Sequence, residues 1–186
     1  MLTLMFLAKS VCEITTIVLL LRIWITLVTN NTYNSFSQFI TIISQPIIKP
    51  IQQYIPDVKK FELSSFIILS IICIIKYPLL SYFKSDSTPC TSFIMYIIIG
   101  LFSLIKSCGY LIFWLVTIRS IFSWFNRNYN DFDLILNILT DQILEPVKKF
   151  VPPIYNIDIS PFIISVILYL LNFLGQDVFH VFWSTI

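Results

Sequence analysis

The chain has 186 residues, of which 57% are apolar and only 12% carry a charge. Soluble domains have about 25% charged residues, so this composition excludes a soluble globular protein and predicts an all-α integral membrane protein. The net charge of +2 comes without a basic stripe that could follow a phosphate backbone, so no nucleic-acid partner is expected.

The first predicted span covers residues 8–28, and it is expected to stay uncleaved because no basic segment of a signal peptide precedes it. It contains Lys9 and Glu13, whose i,i+4 spacing predicts an ion pair inside the apolar helix. Arg22 lies about six residues from the end of the span, close enough for its side chain to snorkel to the lipid headgroups. All three are candidate intramembrane polar residues.

A proline-rich segment follows the first span, "SQPIIKPIQQYIP" at residues 44–56. The apolar residues before it keep helical spacing, and each proline disfavours the helical conformation of the residue that precedes it. The segment therefore predicts two short amphipathic helices joined at a proline hinge and lying along the headgroups. Its candidate contacts with a partner or with lipid are Pro50, Tyr54 and Pro56.

The second predicted span, residues 63–83, contains Lys76, which either has a function inside the membrane or snorkels near Pro78. The connector at residues 84–104 ends in an apolar run, 93–105, that is too short to cross the bilayer alone. Joined to the third predicted span, this run would make a helix about 50 Å long against a hydrocarbon core of about 30 Å.

A break near Lys106, Ser107 and Gly109 would resolve this excess length. We therefore predict that residues 93–105 form an interfacial or re-entrant piece. If this piece crossed the membrane instead, the chain would have five crossings and its two proline-rich segments would face opposite sides.

The third predicted span, residues 105–125, contains Lys106 and Arg119, and the fourth, residues 159–179, contains Asn172. These three polar residues are further intramembrane candidates. Between the two spans, "DQILEPVKKFVP" at residues 141–152 repeats the proline-rich phrase. Its candidate contacts with a partner or with lipid are Pro146, Lys148, Lys149, Phe150 and Pro152.

An internal repeat becomes visible when the chain is compared with itself at a shift of 97 and then 96 residues. We predict two parallel tandem repeats, 1–83 and 105–186, each with two transmembrane helices joined by a proline-kinked amphipathic segment. The matched positions include Arg22 with Arg119, Pro50 with Pro146, and Lys76 with Asn172.

Basic residues are unequally divided between the two sides of this predicted topology. The two segments that contain the proline-rich phrases hold six Lys and Arg residues, and the opposite side holds at most three. Because positive charge in short loops favours the cytoplasm, the proline-rich segments are predicted to be cytoplasmic and both termini to lie outside.

Catalytic and metal-binding residues show no recognisable grouping. His180 is the single histidine, and the four cysteines form no Cys-x-x-Cys pair. Neither a Ser-His-Asp set nor a P-loop is present. We therefore expect no enzyme, no cofactor and no metal, and we expect the cysteines to act as small buried apolar residues.

Several motifs resemble those of a known family, namely "LLLRIW", "YNSFSQF" and "QPIIKPIQQYIP" in the first half and "SWF" and "ILEPVKKFVPPIYNIDISP" in the second. They resemble the two repeats of the YggT family of bacterial integral membrane proteins over nearly the whole chain. The resemblance implies a multi-pass protein of the bacterial inner membrane and no enzyme. It also implies links with osmotic stress and potassium homeostasis, and in plastid relatives with cytochrome complex assembly and nucleoid or division organisation.

Two functions are open at this point. The repeated amphipathic segments favour a membrane scaffold or assembly factor whose cytoplasmic side contacts lipid and a membrane-protein partner. The polar residues inside the spans favour instead a minor role in potassium transport or osmotic homeostasis. Transport is the second choice because the chain has few glycines and its spans have no acidic ring.

Overall fold

The computed structural model describes residues 2–29, 34–54, 62–84, 93–125, 131–151, 158–179 and 183. Within these ranges the regular structure is entirely α-helical, and no strand occurs. In chain order, the helices are α1 (Leu2–Val28), α2 (Ser35–Gln52), α3 (Leu63–Lys84), α4 (Phe93–Phe125), α5 (Asp131–Phe150) and α6 (Ser160–Val178).

Four helices, α1, α3, α4 and α6, are long and apolar enough to cross a membrane. The four predicted spans fall on these four helices, so the prediction of an all-α protein with four membrane-capable helices is confirmed. Their membrane-capable stretches are Thr3–Val28, Leu63–Leu80, Phe93–Ser123 and Ser160–Val178.

Helix α4 differs from the prediction, because its 33 residues form one unbroken helix from Phe93 to Phe125. The predicted break near Lys106, Ser107 and Gly109 is wrong, and residues 93–105 are neither a separate interfacial piece nor a fifth crossing. The first half of α4 packs against α3, with Gly100 close to Ile74. At about 1.5 Å per residue α4 is about 50 Å long, which exceeds the hydrocarbon core of about 30 Å.

The surface helices α2 and α5 also differ from the prediction, since each is one helix rather than two. Helix α2 continues through Pro46 and Pro50, and α5 continues through Pro146. A proline inside a helix costs about 3 kcal/mol, so other contacts must hold these turns in place. The fully buried side chains of Ile48 and Leu144 do so, and a kink at the prolines stays a prediction.

Two apolar clusters are formed by residues that lie 96 or 97 positions apart in the chain. Leu19, Ile48 and Ile68 pack together between α1, α2 and α3. The second cluster lies between α4, α5 and α6 and contains Val116, Leu144 and Ile164. These residues follow those of the first cluster by 97, 96 and 96 positions. A third cluster joins these two three-helix units and contains Leu21 and Ile25 of α1, Ile40 of α2, Leu111 and Leu115 of α4, and Ile135, Leu136 and Leu139 of α5.

The two units also meet at residues that are 96 positions apart. The rings of Phe36 and Phe132 contact each other edge to face, with centroids 5.0 Å apart. Next to them, the Ser35 hydroxyl donates to an Asp131 carboxylate oxygen at 3.4 Å. Contact between matched residues is typical of a two-fold arrangement, in which the axis passes between them.

The two units also meet where α4 packs against α3, and Gly100 of α4 allows a close approach there. A Cβ atom there would lie 2.8 Å from Cγ1 of Ile74 and 3.1 Å from its Cα, so only glycine fits against the α3 backbone. Burial of apolar surface does not favour association of helices in a membrane, because lipid is equally apolar. Small residues favour it instead, since they allow the helices to pack closely. Gly100 therefore holds the first half of α4 against α3.

Candidate functional site

The exposed ends of α2 and α5 carry most of the predicted contact residues. Tyr54 and Phe150, which are 96 positions apart, have the most exposed large apolar side chains in the described ranges, at 85% and 86%. Pro50, Pro146 and Lys149 are exposed as well. Their exposure makes all five available for contact with lipid or with another protein.

Three further predicted contacts have different outcomes. Lys148 is half-buried and its ammonium lies 2.9 Å from an Asp158 carboxylate oxygen, so it is engaged within the protein. Pro56 and Pro152 lie outside the residues that the structure describes.

A stripe of apolar side chains on α2 has no neighbouring helix. Phe39, Ile42 and Ile43 follow the i, i+3, i+4 spacing of one helix face and are 57%, 66% and 41% exposed. We call these three residues the α2 stripe. Pro46 and Pro50, which continue the same face by further turns, are exposed too. An exposed apolar face of this kind marks a surface that meets lipid or another protein.

The matched face of α5 is largely buried. Ile135 and Leu139, which correspond to Phe39 and Ile43, are 1% and 0% exposed, and Ile138 is half-buried. Helix α5 packs against α1 in addition to α4 and α6, and that extra neighbour covers this face. The sequence pattern alone did not separate the two faces, because both are apolar.

Arg22 ties the three helices of the first unit together. Its guanidinium donates to both Glu62 carboxylate oxygens, at 2.6 and 3.2 Å, and to the Ser44 hydroxyl at 2.7 Å. The Arg22 side chain is 9% exposed and that of Glu62 17%. We call this arrangement the Arg22 tie. The charge of Arg22 is thus neutralised within the protein, and snorkelling of Arg22 to the headgroups stays a prediction.

Arg119 holds the corresponding place in the second unit but has different partners. Its guanidinium donates to the Thr140 hydroxyl and lies 2.7 Å from an Asp141 carboxylate oxygen. Both partners belong to α5, so Arg119 joins α4 to α5 without reaching the start of α6. The Arg119 side chain is 17% exposed, whereas that of Asp141 is 45% exposed.

The start of α6 is held instead by Asp158, which corresponds to Glu62. Asp158 accepts hydrogen bonds from Lys148 and from the backbone N–H of Ser160. Partial burial raises the pKa of the Asp158 carboxyl, but the hydrogen bonds from Lys148 and Ser160 and the lysine charge outweigh it and leave the pKa below its usual value.

The different pairing of the two units follows from two positions at which their residues differ. Gln45 and Gln52 stand in the first unit where Asp141 and Lys148 stand in the second. Without a charged group on α2 at these positions, Glu62 is left to neutralise Arg22. In the second unit, Asp141 pairs with Arg119 and Lys148 pairs with Asp158. These two ion pairs are more exposed than the single Arg22 tie of the first unit.

A second polar group lies toward the other end of the bundle. The predicted pair of Lys9 and Glu13 is present at 3.9 Å, and Lys76 of α3 lies closer to the same carboxylate oxygen, at 3.2 Å. The Lys76 side chain is 9% exposed, so its ammonium pairs with Glu13 among the helices. Lys9, Lys76 and Lys106 with Glu13 are called the lysine cluster.

Trp183 binds the remaining two intramembrane candidates. Its indole N–H donates to the Asn172 side-chain oxygen at 2.9 Å, and its carbonyl oxygen accepts from Lys106 at 3.4 Å. The Lys106 ammonium also stands 5.6 Å from the centre of the indole ring, in cation–π range. Gly175 makes room for this packing, since a Cβ there would lie 2.7 Å from the ring.

Three thiols lie in the described ranges, and all are free. Cys73 is buried, whereas Cys12 and Cys108 are half-buried, so only Cys73 matches the expected small buried residue closely. No group of three His, Cys, Asp or Glu residues able to hold a metal ion occurs among the described residues. Cys90 and His180 lie outside them.

Glu62 and Trp183 were missed as site residues by sequence reasoning. A signal for Glu62 existed, because Glu62 and Asp158 match at the repeat shift and each stands just before a span. Trp183 gave no such signal, since it lies beyond the last predicted span and its partners Asn172 and Lys106 are distant in the chain.

The family is decided by comparison with known proteins. The sequence model of the CCB3/YggT family matches two regions in succession, residues 1–83 and 95–178, which together cover most of the chain. The chain belongs to the YggT family. The two matched regions contain α1 to α3 and most of α4 to α6, so each match covers one three-helix unit of this YggT-family protein.

Curated relatives in this family have nearly the same length. "Uncharacterized protein YggT" of Escherichia coli strain K12 is 37% identical over 171 residues, covering 91% of this chain and 87% of its own. "Uncharacterized protein in proC 3'region" of Vibrio alginolyticus is 31% identical over 178 residues and 96% of both chains. A Haemophilus influenzae protein is 29% identical over 174 residues, covering 94% of this chain and 92% of its own. No solved structure matches the chain.

Proposed function

We propose that this protein is a scaffold or assembly factor of the bacterial inner membrane, which it crosses several times. In this proposal α2 and α5 lie on the cytoplasmic side, where α2 contacts a membrane-protein partner and the ends of both helices contact lipid. The proposal gives the protein no enzymatic activity, no cofactor and no nucleic-acid partner. Its role is to hold another membrane component in place.

One observation carries the proposal, namely the exposed α2 stripe. Phe39, Ile42 and Ile43 leave an apolar face open on an amphipathic helix, while the matched residues Ile135 and Leu139 of α5 are buried. Helices of this type bind at an interface through their apolar face, which supports contact with lipid or with a partner helix. Because only one of the two copies is open, the surface has a defined place on the molecule.

The ends of the surface helices support a location at the headgroups. Tyr54 and Phe150 are exposed at matched positions, and aromatic side chains favour the boundary between lipid and water. Exposed lysines, Lys49 on α2 and Lys149 on α5, lie close to these rings in the chain and can meet anionic headgroups.

The proposed orientation rests on a duplication of the three-helix unit. The matched clusters around Leu19 and Val116, and the contact between Phe36 and Phe132, support two parallel units with α2 and α5 on one side. Reporter fusions near positions 58 and 154 test this directly. Both reporters should report the cytoplasm, and reporters on opposite faces would contradict the proposal.

Crosslinking tests the partner surface. A photo-crosslinking residue at Ile42 should capture a defined membrane protein in native membranes, whereas one at Leu134, which is 49% exposed on α5, should capture lipid. The double variant Phe39→Ser with Ile43→Ser should lose the protein partner without a change in melting temperature. Equal capture at both positions, or capture that survives the double variant, would rule out the α2 stripe as the partner surface.

A role in potassium transport or osmotic homeostasis is the second candidate, and the lysine cluster is the observation that favours it. Two features weigh against it. The cluster has more positive than negative groups, which repels potassium, and buried Leu19, Leu69 and Cys73 separate it from the Arg22 tie. Potassium flux through liposomes that contain the purified protein, absent from empty liposomes, would reverse this preference.

A further inference from the structure

The lysine cluster contains more positive charge than its own residues neutralise. Lys76 and Lys9 share one carboxylate, lying 3.2 and 3.9 Å from the same oxygen of Glu13. Lys106 donates to the carbonyl oxygen of Trp183 and stands over its ring, and neither group carries a full negative charge. Glu13 is thus the single carboxylate in this group of four.

Lys9 and Lys76 are joined by the Glu13 oxygen that they share, and Lys106 lies on α4, which packs against both α1 and α3. Among the described residues, Lys9, Lys76 and Glu13 are the charged groups that act on Lys106. Three ammonium groups and one carboxylate leave two positive charges in a group contributed by α1, α3 and α4. Uncompensated like charges among apolar helices are unfavourable, so the arrangement favours a bound anion.

The depth of the cluster indicates where such an anion comes from. Lys9 lies six residues after Thr3, the start of the first membrane-capable stretch, and Lys76 lies four residues before Leu80, the end of the second. At about 1.5 Å per residue, they are about 9 and 6 Å from these ends. A lysine side chain at this depth reaches the level of lipid phosphates.

Access to the cluster is open on one side. The side chains of Lys9 and Glu13 are 43% and 44% exposed, whereas that of Lys76 is 9% exposed. The cluster therefore has an outer edge that meets lipid and a deeper group that is enclosed by protein, which is the arrangement that a headgroup site needs.

We propose that Lys9, Lys76 and Lys106 bind a phosphate group, which either the headgroup of an anionic lipid or a free phosphate ion supplies. Lys9 binds it at the open edge, and Lys76 and Lys106 bind it from inside the bundle. This site is independent of the proposed scaffold role, because it lies at the opposite end of the molecule from the α2 stripe. The depth of the site favours the lipid as the source.

Thermal unfolding of the full-length protein in a neutral detergent free of phospholipid tests the site. Short-chain phosphatidylglycerol should raise the melting temperature in a saturable manner, and diacylglycerol of the same chain length, which has no phosphate, should not. Lys9→Gln and Lys106→Gln should each bind phosphatidylglycerol about tenfold more weakly, the loss expected for one hydrogen bond to a charged group. Lys49→Gln, an exposed lysine on α2, is the matched control and should bind like the wild type.

The remaining arms separate the two sources and guard against misfolding. A shift with inorganic phosphate alone that is lost in Lys9→Gln assigns the site to a free ion. If Lys106→Gln does not fold, Lys106→Arg should fold and still bind phosphatidylglycerol. Binding by Lys9→Gln, whose substitution is at the exposed edge, then tests the proposed site. Equal shifts with diacylglycerol and phosphatidylglycerol, or unchanged binding in Lys9→Gln, would overturn the proposal.

Discussion

The two three-helix units neutralise their arginines with different partners. In the first unit a single buried arginine, Arg22, joins α1, α2 and the start of α3 through Ser44 and Glu62. In the second unit Arg119 reaches only α5, and a separate pair of Lys148 and Asp158 holds the start of α6. The two units therefore keep similar apolar packing at positions 96 or 97 residues apart while their charged residues pair differently.

The same comparison applies to the apolar faces. The first unit keeps its buried charges and leaves the α2 stripe open, whereas the second unit has more exposed charges and a covered α5 face. We infer that the second unit supplies the platform and that the first supplies the surface for a partner. The predictions below test each part of this division, starting with the largest effect.

Removing the two arginines should have unequal costs. Arg22→Ala leaves the enclosed Glu62 carboxylate without its partner, and breaking a buried pair in this way costs about 3–5 kcal/mol of unfolding free energy. Arg119→Ala should cost only about 1–2 kcal/mol, because the partner Asp141 is 45% exposed and can be hydrated without Arg119. Unfolding of both variants in bicelles measures the difference, and equal losses would contradict the proposed asymmetry.

Truncating matched residues on α2 and α5 should separate stability from function. Leu139→Ala removes a fully buried side chain and should cost about 2–4 kcal/mol. Ile43→Ala, at the matched exposed position, should change unfolding free energy by less than about 0.5 kcal/mol. It should nevertheless weaken capture of the partner at Ile42. A large stability loss in Ile43→Ala would indicate that α2 is covered within the protein itself.

Two glycines of α4 allow a test of the joint between the units. Gly100→Ala forces a methyl group against the α3 backbone and should destabilise the protein by about 1–3 kcal/mol. Gly109→Ala is the control, since its Cβ would meet only a Leu168 methyl at 4.0 Å. Alanine is favoured over glycine in a helix by about 0.5–1 kcal/mol, so Gly109→Ala should stabilise. Opposite signs in thermal unfolding would support a tight contact between Gly100 and α3, and a stabilising Gly100→Ala would contradict it.

These contacts also show what the sequence could predict. The four membrane-capable helices followed from the length of the apolar runs, and the pair of Lys9 and Glu13 followed from its spacing, because both are local properties. The approach of Gly100 to Ile74 joins α4 to α3, and the partner of Arg22 lies 40 residues away in the chain. Such contacts between distant segments have no local pattern, and neither does the burial of α5 by α1.

The smallest expected effect concerns the ion pair between Lys148 and Asp158. Their side chains are 35% and 37% exposed, so Asp158→Asn should cost about 0.2–1 kcal/mol at neutral pH. Because the folded pKa of Asp158 lies below its usual 3.8, the pair stabilises the protein above that pH and the stabilisation is lost as the pH falls through the folded pKa. The melting temperatures of the wild type and Asp158→Asn should therefore converge in acid.

Asp141→Asn is the control: Asp141 pairs with Arg119 in the same unit, and its effect should be independent of Lys148. A difference between wild type and Asp158→Asn that persists below the folded pKa would show that the carboxylate charge is not what holds the start of α6.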